Sequence, residues 1–243
     1  MNSIKRSSYL PTSSNVKRHK IEHKKEKQTD DDENEHSEGE EQEINDPLME
    51  LIKERENVSI EDNHVYFRTD VCDKSIGKLI RIINHVNRIF DKLESNIKIT
   101  KLEPNPIYLH ITSNGGSCLM GFVASDIIKN SRVPIFTIIE GYAISAATHL
   151  SVVGKRRFIT ENSVMLIHQL SGAAYGKYSE LKDDAANSDL LMERLRNLYL
   201  KNTKIKKNEL DKLLNKDIFL SAEKCIELGL ADEIYRGEHM IKY

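Results

Sequence analysis

The stretch at residues 133–147, VPIFTIIEGYAISAA, decides the fold that we expect for this chain. Its first half, residues 133–139, is a short apolar run rich in β-branched residues, which is typical of a buried parallel strand. The small apolar residues 145–153, closed by Gly154, indicate a buried helix that ends just before a glycine. Ser145 lies at the turn between the two, where backbone N–H groups lack helical partners. Two interpretations stay open, a nucleophile beside anion-binding amides and a simple helix cap.

The composition limits the number of domains and the compartment. The 243 residues, 39% hydrophobic and 30% charged with a net charge of −2, suffice for one globular domain and a polar segment. No apolar run is long enough to span a bilayer, and the first residues lack the core of a signal peptide. We therefore expect no membrane as partner, and we also expect no nucleic acid.

The cysteines stand singly along the chain, without a CxxC pair. This pattern argues against a disulfide framework and against a zinc site, and it favours a reducing compartment, cytoplasmic or other. We predict packing roles for all of them. They are Cys72, Cys118 and Cys225.

Charge is segregated before residue 45, with a basic block followed by an acidic block. Apolar residues are too few there to offset the entropy cost of ordering, so we predict a disordered tail at residues 1–45 and a single domain at residues 46–243. The tail has several interpretations: a nuclear-localisation-like patch at residues 17–20, a cleaved leader, or a solvated segment whose two halves attract each other.

The rest of the chain alternates short apolar runs with amphipathic segments, which predicts an α/β domain with a largely parallel sheet. The predicted strands are residues 65–68, 107–112, 133–139, 157–160, 164–167 and 232–235. The predicted helices are residues 46–53, 75–93, 119–130, 145–153, 179–202, 206–214 and 221–228.

Three further features bear on chemistry, because a serine nucleophile needs a base and the base needs an orienting carboxylate. His168 ends an apolar strand, at the edge where α/β sheets carry their sites. Asp217 precedes a capped helix. Gly115 and Gly116 directly follow a strand, where glycines let backbone amides approach a ligand. Each feature alone has a structural alternative: a core histidine, an ordinary aspartate before a helix, and a plain turn.

Four blocks in order resemble the proteolytic subunit of the ATP-dependent Clp protease, a caseinolytic serine peptidase family with a crotonase-like fold. The blocks are ITSNGGS at 111–117, GYAISAA at 141–147, MLIHQ at 165–169 and DIFLSAE at 217–223. The resemblance extends over about residues 65–235. It implies repeated strand-helix units and a protruding handle at about residues 171–202, with a glycine-containing strand at 172–177 before the long helix. The structural alternative is a helix that packs on its own domain.

The same resemblance implies a role for each matched residue. Ser145 would be the nucleophile and His168 the general base, while Asp217 would hold the tautomer of the imidazole. The backbone N–H groups of Gly116 and Ala146 would form the oxyanion hole.

The chain departs from the family pattern at three positions beside these residues. Asn114 and Leu170 replace the prolines that family members usually carry, so the loop before the two glycines is less rigid. Ala146 replaces a common methionine, which keeps the N–H but implies a wider specificity pocket. The charged leader also does not match the family's short axial-gate segment.

The resemblance further implies an assembly, a homo-oligomer of two stacked heptameric rings that encloses the serines. Such a chamber admits unfolded polypeptides and works with a separate AAA+ unfoldase. The chain has no GxxxxGK[ST] loop, so ATP would be used only by that partner, and we expect no cofactor and no metal. Two alternatives stay open: a catalytically silent or accessory ring subunit of the same fold, and a crotonase-type acyl-CoA enzyme.

Overall fold

The computed structural model describes residues 58–96 and 103–237. The predicted tail at residues 1–45 and the predicted helix at residues 46–53 lie outside these residues. Within the described part, no helix combines the length and the apolar character that a membrane crossing requires.

Strands and helices alternate through the described residues. The strands are β1 (Ser59–Glu61), β2 (His64–Phe67), β3 (Ile107–Ser113), β4 (Ile135–Ile144), β5 (Arg156–Ile159), β6 (Val164–Leu166), β7 (Leu220–Ser221) and β8 (Glu233–Ile234). The helices are α1 (Asp73–Asn96), α2 (Cys118–Lys129), α3 (Ala147–Ser151), α4 (Tyr178–Asn202), α5 (Lys207–Leu214) and α6 (Ala222–Glu227).

All described strands belong to one sheet with the order β1-β2-β3-β4-β5-β8, to which β6 and β7 are added at the end of β4. The pairs from β2 to β8 along this order are parallel, and β6 is also parallel to β4. Among the described strands, only the pairs of β1 with β2 and of β6 with β7 are antiparallel. The predicted α/β class with a largely parallel sheet is confirmed.

The core is formed where helices cover the central strands. On β3, Leu109 and Ile111 are fully buried on one face and Tyr108 is buried on the other, as expected for a parallel strand covered on both faces. The apolar stripe of α1, which includes Ile76, Leu79 and Ile83, joins the same cluster of buried side chains. The 3.6-residue period of that stripe is the pattern that predicts this helix from the sequence.

Strand β4 differs from its prediction because it does not end at Ile139. It continues through Gly141, which has a φ of +74°, and reaches Ile144. Its first half pairs with β5 and its second half with β6, in the register Ala143 opposite Met165. The extra pairing partner explains the extension, and the helix predicted at residues 145–153 shortens accordingly to α3.

The predicted strand at residues 172–177 is wrong. No strand of the described chain lies beside this segment to pair with it, and its small side chains bury no surface. The helix that follows is confirmed as α4, and every residue from 171 to 190 is exposed. Only the second half of α4 packs on the domain, through Leu195 and Tyr199.

The cysteines differ in their surroundings. Cys225 is buried and Cys118 is partly buried, which suits a packing role. Cys72 is exposed, so the prediction of a packing role is wrong for this residue. Its backbone N–H donates to Ser75 Oγ at 3.0 Å near the start of α1, and its thiol contacts the same oxygen at 3.5 Å.

Candidate active site

Ser145 lies on a left-handed turn between β4 and α3, with a φ of +55°. Its backbone is fixed on both sides: its N–H donates to the Leu166 carbonyl at 2.8 Å, and its carbonyl accepts from the hydroxyl of Thr148 at 2.6 Å. Helix α3 is capped at Ala146 without a side-chain hydrogen bond. Ser145 is therefore not a helix cap, and its hydroxyl is available for a hydrogen bond with another residue.

The partner of that hydroxyl is His168, whose Nε2 lies 2.7 Å from Ser145 Oγ. Parallel pairing explains the encounter, because β6 leaves the sheet beside the end of β4. The chain after His168 is held by Gln169, whose N–H donates to the Leu214 carbonyl at 2.8 Å. The two residues are 23 positions apart in the sequence, and the sheet brings them together.

Asp217 lies near the opposite side of the imidazole. Its Oδ1 is 3.6 Å from His168 Nδ1, and its side chain is 81% exposed. This separation suits an ion pair with a protonated imidazole but is longer than a hydrogen bond. Asp217 lies shortly before β7, and His168 lies shortly after β6. Because β6 and β7 pair antiparallel, both residues lie at the same end of this strand pair.

The two glycines form the turn that faces Ser145. Gly115 and Gly116 have φ values of +92° and +139°, which glycine adopts without strain. Val71 holds the turn, because its N–H donates to the Gly115 carbonyl and its carbonyl accepts from the Ser117 N–H, both at 2.7 Å. A Cβ on Gly116 would come 2.4 Å from the Val71 carbonyl oxygen. Glycine is thus required at both positions.

Two backbone N–H groups in this region are available to a ligand. The hydrogen bonds among the described residues leave the N–H groups of Gly116 and Ala146 without an acceptor. Both residues line one cavity of about 200 Å³ together with Ser145 and His168. The predicted members of the site other than Asp217 therefore share one pocket. An anion bound in this pocket would accept hydrogen bonds from these two N–H groups without a change in the backbone.

The positions that depart from the family pattern also have local explanations. Asn114 is exposed, and the loop beside it is held instead by Ser113, whose Oγ accepts from the Gly115 N–H at 3.2 Å. Leu170 provides an N–H that a proline would lack, and it contacts the Met192 sulfur at 3.2 Å. That contact ties the segment after His168 to helix α4.

Sequence reasoning missed one residue that lines this cavity, His149. It is 3% exposed, and burial, followed by electrostatic repulsion from His168, lowers the pKa of its imidazole to about 4. The signal was present in the sequence, because His149 is the one histidine in the helix predicted at residues 145–153, directly after Ser145. The prediction of a buried apolar helix at residues 145–153 assigns no role to this histidine.

An imidazole nitrogen within hydrogen-bond distance of a serine oxygen is the arrangement with which serine hydrolases activate their nucleophile. A comparison with known protein families gives the narrower class. The family described as Clp protease matches residues 78–238, about two thirds of the chain, so the chain belongs to the Clp protease family. The resemblance drawn from the four sequence blocks is confirmed. The family is one of serine peptidases, which makes hydrolysis of peptide bonds the general activity of this protein class.

Proposed function

We propose that this protein is the endopeptidase subunit of a self-compartmentalised ring protease, and that it hydrolyses peptide bonds of unfolded polypeptides. The observation that carries the proposal is the 2.7 Å contact between His168 Nε2 and Ser145 Oγ. Family membership supports the reaction class. The contact supports Ser145 and His168 as the serine and the imidazole that would perform the reaction.

In the proposed reaction, Ser145 Oγ attacks the carbonyl carbon of the scissile bond while His168 Nε2 takes the hydroxyl proton. The oxyanion that forms accepts hydrogen bonds from the N–H groups of Gly116 and Ala146. The C–N bond then breaks, and His168 returns the proton to the leaving amine. Water, deprotonated by His168, hydrolyses the acyl-enzyme and restores Ser145. Asp217 supports the imidazolium.

A fluorophosphonate probe tests this proposal directly, because it reacts with activated serines. We expect the chain of residues 1–243 to be labelled, and Ser145→Ala and His168→Ala to lose labelling. Ser171→Ala is the matched control, since Ser171 lines the same cavity whereas His168 Nε2 is hydrogen-bonded to Ser145. Labelling that survives in Ser145→Ala would contradict the proposal.

The assembly and the partners are further parts of the proposal. Large apolar side chains are exposed on α2 and on the first half of α4, and burial of such surface drives association between subunits. They are Leu119, Val123, Tyr178, Leu181 and Leu190. We propose that they pack between copies in two stacked heptameric rings, served by a separate AAA+ unfoldase, with no cofactor in the subunit itself.

The mass of the assembly, read on the labelled samples, tests the ring. A labelled particle of ring size supports the chamber, whereas a labelled monomer or dimer contradicts it and leaves the peptidase proposal intact. We also propose that residues 46–243 form the functional domain. A variant without residues 1–45 is then expected to keep both its labelling and its mass.

A second candidate function rests on Asp217. Its 81% exposure and the 3.6 Å separation from His168 Nδ1 leave the imidazole without a close carboxylate. The chain would then be a catalytically silent or accessory ring subunit of the same fold. A ring-sized particle that is not labelled, either alone or with an AAA+ partner, would favour this candidate over the peptidase.

A further inference from the structure

We propose that Tyr199, acting through the hydroxyl of Thr148, orients the peptide group between Ser145 and Ala146. The carbonyl of this peptide belongs to Ser145, and its N–H is the proposed oxyanion donor of Ala146. Tyr199 is thus a positioning residue for the reaction, because its hydroxyl contacts Thr148 and not a reacting group. The inference rests on the proposed function, since it concerns the same site.

Two short hydrogen bonds connect Tyr199 to Ser145. Thr148 Oγ1 lies 2.6 Å from the Ser145 carbonyl oxygen and 2.6 Å from the Tyr199 hydroxyl oxygen. The carbonyl oxygen can only accept, so the single proton of the Thr148 hydroxyl is used there. The Tyr199 hydroxyl must therefore donate to Thr148. Both protons are directed toward Ser145, and the first hydroxyl fixes the orientation of the second.

The hydrogen-bonded carbonyl determines the direction of the Ala146 N–H. The two groups belong to one planar trans peptide, in which the C=O and the N–H point in opposite directions. The Ser145 oxygen also accepts from the Thr148 N–H at 3.0 Å, so both of its lone pairs are in use. A peptide group held by two donors rotates less than one held by a single donor. The Ala146 N–H is thereby kept in one direction before any substrate binds, as an oxyanion donor requires.

The turn at Ser145 needs such support because its backbone is strained. Its φ of +55° lies in the left-handed region, which residues with a side chain adopt at an energetic cost. Strained backbone persists only where the surrounding structure determines it. Helix α3, which follows the turn, has only five residues and no side-chain cap. Its own hydrogen bonds are therefore few, and the bond from Tyr199 adds support from a longer helix.

Burial strengthens the hydrogen bonds of both hydroxyls. Tyr199 is 1% exposed and Thr148 is fully buried, so water does not compete for these bonds. Burial also raises the pKa of Tyr199 above that of an exposed phenol, which keeps the donated proton on its oxygen. Removal of either hydroxyl would leave the other without its partner in a place that water does not reach.

Helix α4 is a suitable support for this contact. Tyr199 lies in the half of α4 that packs on the domain. The same helix also holds the segment after His168, because the Leu170 N–H donates to the Met192 sulfur at 3.2 Å. One helix thus supports both the turn that carries Ser145 and the chain that follows His168, although it supplies no reacting group itself.

Saturation kinetics of fluorophosphonate labelling test the inference in the chain of residues 1–243. An interaction made only in the transition state affects the maximal labelling rate and leaves the half-saturating probe concentration unchanged. We expect Tyr199→Phe to lower the maximal rate about tenfold, the typical effect of one hydrogen bond. Thr148→Val should lose at least as much. Thr148→Ser, which keeps the hydroxyl, should restore most of the rate that Thr148→Val loses.

Two further variants separate positioning from a general loss of stability. Tyr199→Phe combined with Thr148→Val should be labelled no more slowly than Thr148→Val alone, because Tyr199 acts through Thr148. Thr137→Val is the matched control. It removes an equally buried hydroxyl that donates at 2.7 Å to the Ser151 carbonyl instead of the Ser145 carbonyl. We expect this control to lower the melting temperature and to leave the maximal labelling rate unchanged.

The outcomes distinguish this inference from the proposed function. If the wild type is labelled and Tyr199→Phe has the same maximal rate, or if Thr137→Val loses as much, the inference is overturned and the proposed function stands. A double variant that is clearly slower than Thr148→Val has the same meaning. A wild type without labelling contradicts the proposed function, and the inference fails with it. If Tyr199→Phe does not fold, Thr148→Val and Thr148→Ser decide, and equal rates for these two overturn the inference.

Discussion

Gly115 lies directly against Ser145. A Cβ atom on Gly115 would come 2.7 Å from Ser145 Cβ and 2.5 Å from the Ile144 carbonyl oxygen, and both distances are shorter than van der Waals contact. The second atom belongs to the backbone, which cannot swing away as a flexible side chain would. The glycine turn and the serine turn are consequently packed as one unit.

Gly115→Ala is therefore expected to disable the site. The added methyl group pushes the glycine turn away from Ser145 and displaces the N–H of Gly116. We expect the rate of fluorophosphonate labelling to fall by about 10² or more, the typical effect of losing an oxyanion donor. Gly172→Ala is the matched control, because a Cβ there meets nothing within 4 Å. Equal labelling of the two variants would show that the turn does not shape the site.

Asp217→Ala should have a smaller effect than His168→Ala. An exposed carboxylate 3.6 Å from the imidazole is screened by water, and exposed ion pairs contribute about 1 kcal/mol or less, which is a factor of about five in rate. Loss of the general base costs about 10² to 10⁴. Labelling rates of the two variants, measured side by side, check this order. A loss for Asp217→Ala as large as that for His168→Ala would mean that the carboxylate bonds the imidazole more closely when the site works.

Acid should destabilise the protein through His149. Its pKa is about 4 in the folded chain and about 6.5 when unfolded, so the unfolded state binds a proton first as the pH falls. The stabilising contribution is complete above pH about 6.5 and is lost toward pH about 4, with about 2 kcal/mol lost by pH 5. Urea unfolding at pH 7 and pH 5 measures it. His149→Phe should remove this part of the pH dependence, and His85→Asn, at an exposed position, should not.

Arg157 should contribute strongly to stability. Its guanidinium donates to the Gly229 carbonyl at 2.8 Å, to the Asn202 carbonyl and to Asp232, and its side chain is only 14% exposed. Arg157→Ala removes this donor from the two carbonyls, while Asp232 keeps the hydrogen bond from the backbone N–H of residue 157. We expect a loss of about 2 kcal/mol of unfolding free energy.

The control for Arg157 is Arg132→Ala, which removes an ion pair to Glu94 from a side chain that is 50% exposed. We expect a loss of about 1 kcal/mol or less for this variant. Chemical denaturation of both variants at the same pH checks the difference. Equal losses would mean that the buried carbonyls find other donors.

The sequence predicts those parts of the fold that local patterns determine. The stripe of α1 and the apolar run of β3 are visible because burial imposes the period of each element. The C-terminal end of β4 cannot be predicted from the local sequence, because it depends on pairing with β6, which begins twenty residues after β4 ends. The segment at residues 172–177 fails for the related reason that a strand needs a neighbour.

In the candidate site, too, the local sequence predicts some features, whereas others depend on tertiary contacts. The residue types and order of Ser145, His168 and Asp217 are present in the sequence, and the structure brings the first two into contact. The exposure of Asp217 cannot be predicted, because it depends on how the loop before β7 packs. His149 was within reach of sequence reasoning. Its place four residues after Ser145 is local information, whereas the missing hydrogen-bond partner of its Nδ1 is visible only in three dimensions.

The left-handed backbone conformation of Ser145 lowers the stability of the fold at the position that carries the proposed nucleophile. A residue with a side chain costs about 1–2 kcal/mol more than glycine in this conformation, so Ser145→Gly should raise the melting temperature while removing the hydroxyl. Selection for a robust fold alone would favour glycine at position 145. The serine is thus present in this chain at the expense of thermal stability. Selection of variants for thermal stability alone would favour Ser145→Gly, which removes the hydroxyl.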